Sequence, residues 1–76
     1  MARVADVARE VLSPLVGAPA ATMCIHAVAS SLGKSSDALT SADLPALFAR
    51  IRTDMQPFTS PELLESAVAE IGARLG

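Results

Sequence analysis

The sequence has few of the residues that usually carry chemistry. Its 76 residues include one cysteine, Cys24, and one histidine, His26, with no tryptophan or tyrosine. A single cysteine excludes an internal disulfide, and a single histidine argues against a metal site built from this chain alone. A chain this short buries only about 60% of its unfolded surface. Because neither a disulfide nor a metal site is expected to stabilise the fold, we expect the chain to gain stability by associating with a second chain.

Charge is sparse as well. The formal net charge is −2, and the six basic residues are scattered along the chain. A nucleic-acid-binding protein gathers positive charge on one face, so we expect no nucleic-acid partner. The charged, amphipathic start predicts no signal peptide, and the lone thiol fits a reducing compartment, which favours a cytoplasmic protein. The basic residues are Arg3, Arg9, Lys34, Arg50, Arg52 and Arg74.

Small apolar residues are what the chain does have. It is 51% hydrophobic but only 3% aromatic, and residues 11–33 contain no Asp, Glu, Lys or Arg. About 20 apolar residues are enough to cross a bilayer, so this stretch is a candidate membrane span. Pro14, Gly17 and Pro19 interrupt it, however, and leave an unbroken helix of only about 14 residues. We therefore expect no membrane span.

Apolar residues recur at three- and four-residue steps along the chain and predict an all-α fold. We expect one compact four-helix domain over residues 1–76, with helices at about 2–13, 19–32, 41–56 and 60–75. Pro14 should end the first helix, because its ring disfavours helical geometry at Ser13. Pro19 should open the second helix, where its missing N–H costs nothing.

The last two helices begin with recognisable capping residues. Thr40 with Asp43 three residues later resembles a capping box in which aspartate replaces the usual glutamate. Ser60 followed by Pro61 predicts the cap and first residue of the final helix. These spacings place the Ser- and Asp-rich segment of residues 34–43 in a loop.

The second helix is apolar around most of its circumference, which is typical of a buried helix. Its bulky stripe is expected to face the other three helices. Its small-residue stripe would let another helix approach closely and is the natural place for a partner. The bulky stripe is Ala21, Ile25, Val28 and Leu32, the small stripe is Ala20, Cys24, Ala27 and Ser31, and the mildest side is Thr22, His26 and Ala29.

No motif in the chain predicts catalysis. Gly33 and Lys34 resemble the end of a phosphate-binding loop, but the glycine required five residues earlier is Val28, in the middle of a helix. Cys24 and His26 are two residues apart on a helix and point about 200° away from each other, so they cannot act as a nucleophile and base. We expect a protein that is not an enzyme and that has no cofactor.

The segments LVGAPAATMCIHAVASSLG and DALTSADLPALFARI, with the capped last helix, resemble a small helical domain of bacterial regulatory and signalling proteins. In that family a Val-Gly-Pro-rich turn opens one helix and Leu-Thr-x-x-Asp-Leu-Pro opens the next. The resemblance covers roughly residues 11–75, and Ala18 separates the glycine and proline here. It implies an all-helical fold and an accessory or adaptor role in regulation or assembly, without a defined activity. The matching residues are Val16, Gly17, Leu39, Thr40, Asp43, Leu44 and Pro45.

These features favour a non-enzymatic protein–protein interaction or oligomerisation module. The surplus of apolar surface on the second helix predicts an uncovered patch that marks an interface. A symmetric homodimer is the commonest closed assembly, and docking on another protein is the alternative partner. The expected interface residues are Ala20, Met23, Cys24, Ala27 and Ser31, with Leu15 and Val16 at the rim.

Two other functions stay open. A small apolar ligand or lipid would need a cavity beside the second helix, lined by Met23, Phe48, Ile51, Met55 and Phe58. DNA binding is the weaker alternative, because the MQPFTSP connection is long for a helix-turn-helix. The last helix would also present Glu62, Glu65 and Glu70 to the phosphates.

Overall fold

The computed structural model describes residues 4–75 of the chain, and within them it contains four α-helices and no strand. This confirms the predicted all-α four-helix domain. Residues 2 and 3 of the predicted first helix lie outside the described residues. The helices are α1 (Val4–Val16), α2 (Ala18–Ser31), α3 (Leu44–Asp54) and α4 (Pro61–Leu75), and short 3₁₀ turns span Ser36–Ala38 and Ser41–Asp43.

The prediction that Pro14 ends the first helix is wrong, because α1 continues through Pro14 to Val16. The Ser13 hydroxyl donates a hydrogen bond of 2.5 Å to the Arg9 carbonyl, and the Gly17 N–H donates to the Ser13 carbonyl at 2.8 Å. Leu15 and Val16 pack against the core. The apolar contacts of this last turn outweigh the local preference of the residue before a proline.

One residue, Gly17, joins α1 to α2. Its φ of 92° lies in the region that glycine adopts without a steric penalty, so the chain can reverse within a single residue. α2 begins at Ala18, one residue earlier than predicted, and Pro19 lies in its first turn, where a missing N–H is tolerated.

The predicted capping residues make their expected hydrogen bonds, but the Thr40–Asp43 capping box opens the 3₁₀ turn Ser41–Asp43, and α3 itself begins at Leu44 rather than at residue 41. The Thr40 N–H donates to Asp43 Oδ2 at 2.9 Å, and Lys34 Nζ lies 2.8 Å from the same oxygen. The hydrogen bond from Lys34, followed by that from Thr40, lowers the pKa of Asp43. Ser60 Oγ accepts the Leu63 N–H at 3.4 Å at the start of α4. The loop between α2 and α3 is therefore tied to the start of α3.

The helices form a closed ring in chain order. α1 packs against α2 and α4, and α3 packs against the same two helices from the other side. The α2–α3 seam and the α1–α4 seam are therefore on opposite sides of the ring, and each of them opens outward as a groove. The largest fully buried side chains are Leu12, Ile25, Leu47, Ile51 and Ile71.

The bulky stripe of α2 is buried at Ala21, Ile25 and Val28, as predicted, but not at Leu32. Ala29 is buried and Leu32 is 40% exposed, the reverse of what the stripes predicted. α2 packs mainly against α1, α3 and the turn Ser36–Ala38, rather than against α4. Leu32 lies just past the last helical residue, where it turns away from the core. The buried residues of α2 are Ala21, Cys24, Ile25, Val28 and Ala29.

The uncharged stretch of residues 11–33 is divided between α1 and α2. Gly17 separates the two helices, and α2 is 14 residues long. Across residues 4–75, no helix combines the length and the apolar character needed to cross a membrane.

Candidate functional site

The α2–α3 groove is an open apolar depression of about 280 Å³. α2 supplies one wall with Ala20, Met23 and Ala27, and Cys24 lies at its floor. The opposite side comes from the end of α3 and the following loop. The residues of that side are Arg50, Asp54, Met55 and Phe58.

Two large apolar side chains remain exposed at this groove. Met23 is 72% exposed and Phe58 is 56% exposed, although Cys24 and Met55 beside them are buried. Phe58 belongs to the loop between α3 and α4, where its N–H donates to the Met55 carbonyl at 3.0 Å. Exposed large apolar side chains grouped at one concave site are typical of an interaction surface.

The polar edge of the groove is a single ion pair. Arg50 Nε lies 2.5 Å from Asp54 Oδ2, one helical turn away on α3. Burial, with a smaller contribution from Asp54, raises the pKa of Cys24 to about 11, while Arg50 acts in the opposite direction. Cys24 is therefore a protonated, small apolar residue at neutral pH and not an activated nucleophile.

The structure brings four of the seven predicted interface residues together. Ala20, Met23, Cys24 and Ala27 all line the α2–α3 groove. Cys24 is only 2% exposed, so it supports this surface from below more than it offers area to a partner. The other three lie elsewhere: Ser31 is exposed near the end of α2, Val16 packs against the core, and Leu15 lines the groove on the opposite side of the ring.

The predicted ligand cavity is only partly assembled. Met23, Met55 and Phe58 line the α2–α3 groove, as that alternative required. Ile51 is instead fully buried in the core, and Phe48 lies against Gly72 of α4. Arg50 and Asp54 are four residues apart and therefore meet on one face of α3. Their position beside Met23 could not be predicted, because it depends on how α2 and α3 pack.

The α1–α4 groove is the second depression, with a volume of about 490 Å³. Leu63, at 47% exposure, is its most exposed apolar residue. Arg74 lies at its polar edge, with NH1 3.3 Å from Glu10 Oε1 and NH2 2.8 Å from Glu70 Oε2. The remaining lining residues are Val11, Pro14, Leu15, Ser66 and Ala67.

Neither groove contains a recognisable catalytic arrangement. Cys24 is buried and His26 is exposed, so the two lie on different sides of α2, as their spacing predicted. Across the described residues, His, Cys, Asp and Glu side chains do not gather in a group of three that could hold a metal ion. Both grooves combine apolar lining residues with charged residues at their edges.

A comparison with known protein families, curated proteins and solved structures found no match. Proposals for function therefore rest on the geometry of the chain itself, and the resemblance to a bacterial regulatory domain stays a prediction.

Proposed function

We propose that this protein is a non-enzymatic interaction module that self-associates as a homodimer through the α2–α3 groove. In this proposal it is an accessory or adaptor protein of bacterial regulation or assembly and works in the cytoplasm. The observation that carries the proposal is the pair of exposed large apolar residues, Met23 and Phe58, at one groove. The packing of the core does not require Met23 and Phe58 to be exposed. A surface that binds a partner does use exposed apolar side chains of this kind.

The arrangement on α2 suits a second copy of the same helix. Met23 projects between Ala20, three residues before it, and Ala27, four residues after it, and all three line the groove. Residues at these spacings share one helix face. In a two-fold pairing, Met23 of each copy can occupy the space that the small alanines of the other copy leave.

Charge at the groove is also self-complementary. Arg50 and Asp54 place one cation and one anion a single turn apart on α3. A two-fold axis at the groove would bring Arg50 of one copy toward Asp54 of the other. Arginine would then not have to face arginine, nor aspartate face aspartate. A strongly charged partner would gain little binding energy from this edge, because Arg50 and Asp54 already neutralise each other.

The size of the chain favours this association. Its accessible surface is 4256 Å². An interface of standard size removes about 800 Å² from each partner, which is about a fifth of that surface. A chain of this length is marginally stable alone, so covering this area contributes to folding as well as to assembly.

Sedimentation velocity over a range of concentrations tests the proposal. The natural chain should sediment as a dimer at high micromolar concentration, and Met23→Glu should weaken dimerisation at least about tenfold, because two carboxylates would enter an apolar interface. Leu32→Glu is the matched control, since Leu32 is also exposed but lines neither groove. A folded monomer at all concentrations, or equal effects of the two substitutions, would contradict the homodimer.

The apolar-ligand alternative is an outcome of the same preparation. The groove volume of about 280 Å³ is at the lower end of the range for small-molecule pockets. Native mass spectrometry of protein purified without detergent would show a bound molecule as added mass on the monomer. A monomer carrying such a mass would favour the ligand function over the homodimer.

Ion pairing among the basic residues argues against the DNA-binding alternative. Each of the five basic side chains within residues 4–75 lies within 4 Å of a carboxylate. Phosphate binding would have to compete with these pairs, and no face of the described chain gathers unpaired positive charge. The basic residues concerned are Arg9, Lys34, Arg50, Arg52 and Arg74.

A further inference from the structure

We propose that the α1–α4 groove is a second docking surface and that its occupant is an amphipathic helix of another protein, with basic residues beside its apolar face. This surface is on the opposite side of the ring from the α2–α3 groove and shares no lining residue with it. The proposal therefore stands on separate observations from the homodimer.

The floor of the groove has the shape and length for a short helix. Leu15 and Leu63 line it together with Val11 and Ala67, and Leu63 is about half exposed. On α4 the lining runs from Leu63 to Arg74. At a rise of 1.5 Å per residue this is about 16 Å, or three helical turns. A helix in such a groove places apolar anchors at i, i+3 or i+4, and i+7.

The edge of the groove is rich in hydrogen-bond acceptors. Glu10 and Glu70 share one cation, Arg74, which lies closer to Glu70 than to Glu10. The three side chains leave one negative charge uncompensated. A Lys or Arg from a partner would give Glu10 its own counter-ion, whereas an acidic partner would be repelled.

Pro14 adds a further acceptor at the same edge. In α1 the carbonyl of Glu10 would ordinarily accept the N–H of residue 14, and proline has none. The Ser13 hydroxyl does not replace this donor, because it bonds to the neighbouring Arg9 carbonyl. Both Glu10 and Pro14 line the groove. In the proposal, a donor-bearing side chain of the partner reaches this carbonyl as well as the Glu10 carboxylate.

A pair of designed helical peptides tests this assignment. Both are about three turns long with leucines at i, i+3 and i+7, and the leucines are flanked by lysine in one peptide and by glutamate in the other. Each is titrated into the isotopically labelled full chain while amide chemical shifts are recorded. The lysine peptide should shift amides around Leu63, Ser66 and Glu70, and it should bind at least about fivefold more tightly than the glutamate peptide.

Two variants localise the binding. Leu63→Gln removes the most exposed apolar contact, and the double substitution Glu10→Gln with Glu70→Gln removes both carboxylates. Each should weaken the lysine peptide about fivefold, while Met23→Glu should leave it unchanged. The assignment is overturned by equal binding of the two peptides, by absence of shifts up to millimolar peptide, or by shifts centred on Met23. Loss of self-association in Met23→Glu with retained peptide binding separates the two proposals.

Discussion

The α2–α3 groove and the α1–α4 groove are opposite seams of one four-helix ring, but they differ in what they offer a partner. The first has the more exposed apolar side chains, Met23 and Phe58, and an edge with one cation and one anion. The second has a leucine-lined floor and an edge in which Arg74 must serve two carboxylates. The first suits a copy of itself, and the second suits a basic partner.

The difference shows how one small core can support two surfaces. Each groove lies next to fully buried side chains that hold its helices together, such as Ile25 on α2 and Ile71 on α4. The groove residues are their neighbours in sequence on the adjoining helix face. Under the two proposals, the chain would bind itself on one side and a basic helix on the other, which is the arrangement expected of an adaptor.

Adjacent leucines on α4 provide the largest expected contrast. Leu64 is buried, whereas Leu63 lines the α1–α4 groove and is exposed. Leu64→Ala should lower the free energy of unfolding by about 2–5 kcal/mol, because it leaves a cavity in the core. Leu63→Ala should lower it by less than about 1 kcal/mol. Chemical denaturation at one protein concentration checks both values, and similar losses would mean that Leu63 belongs to the core.

The two grooves should differ in how strongly salt weakens binding to them. Raising the ionic strength from about 0.1 M to about 1 M shortens the Debye length from about 10 Å to about 3 Å. We expect binding of the lysine peptide at the α1–α4 groove to weaken several-fold, while the dimer dissociation constant changes less than about twofold. Equal salt dependence of the two affinities would remove the proposed distinction.

Replacing Pro14 should raise the stability of the fold and weaken peptide binding at the α1–α4 groove. Pro14→Ala restores the backbone donor for the Glu10 carbonyl and removes a proline from inside a helix, so stability should rise by about 1 kcal/mol. The same substitution should weaken the lysine peptide and leave self-association unchanged. Thermal unfolding combined with peptide titration measures both effects, and tighter peptide binding in Pro14→Ala would oppose the role given to that carbonyl.

The smallest expected effect is on the alkylation rate of Cys24, which depends on the charges at the α2–α3 groove. Its pKa is raised from 9.0 to about 11, so the reactive thiolate is scarce below that range. Asp54→Asn removes a charge that raises this pKa and should speed alkylation by iodoacetamide a few-fold, whereas Arg50→Gln should slow it. Alkylation rates across alkaline pH check the order of the three proteins. An unchanged rate in both variants would show that neither side chain acts on the thiol.

The sequence predicted the elements of the fold better than the grooves between them. Helix spacing located all four helices, and Thr40, Asp43 and Ser60 marked caps that the structure confirms. Pro14 was misinterpreted because its local preference is weaker than the packing of Leu15 and Val16. Local rules describe what a segment favours alone, and they do not include what neighbouring helices contribute.

The grooves were less predictable, because each combines residues from two helices. On α2 the interface prediction grouped Ala20, Met23 and Ala27, which line one groove in the structure. That prediction did not include Phe58, since a loop residue has no periodicity to indicate its direction; only the apolar-ligand alternative placed Phe58 beside Met23. Leu32 is exposed because it lies past the last residue of α2, and Ala29 is buried because the covered face is wider than the predicted stripe. The α1–α4 groove depended on α1 continuing past Pro14.

Intermolecular contacts of the Met23 methyl group are the sharpest test of a homodimer that forms through the α2–α3 groove. A sample mixing protein labelled at the methionine methyl groups with unlabelled protein allows isotope-filtered nuclear Overhauser measurements between copies. Self-association through the α2–α3 groove predicts intermolecular contacts from the Met23 methyl to the methyl groups of Ala20 and Ala27 and to the ring of Phe58. Intermolecular contacts from the Met23 methyl to Leu15 or Leu63 instead, or none from it at concentrations where the chain is dimeric, would contradict self-association through this groove.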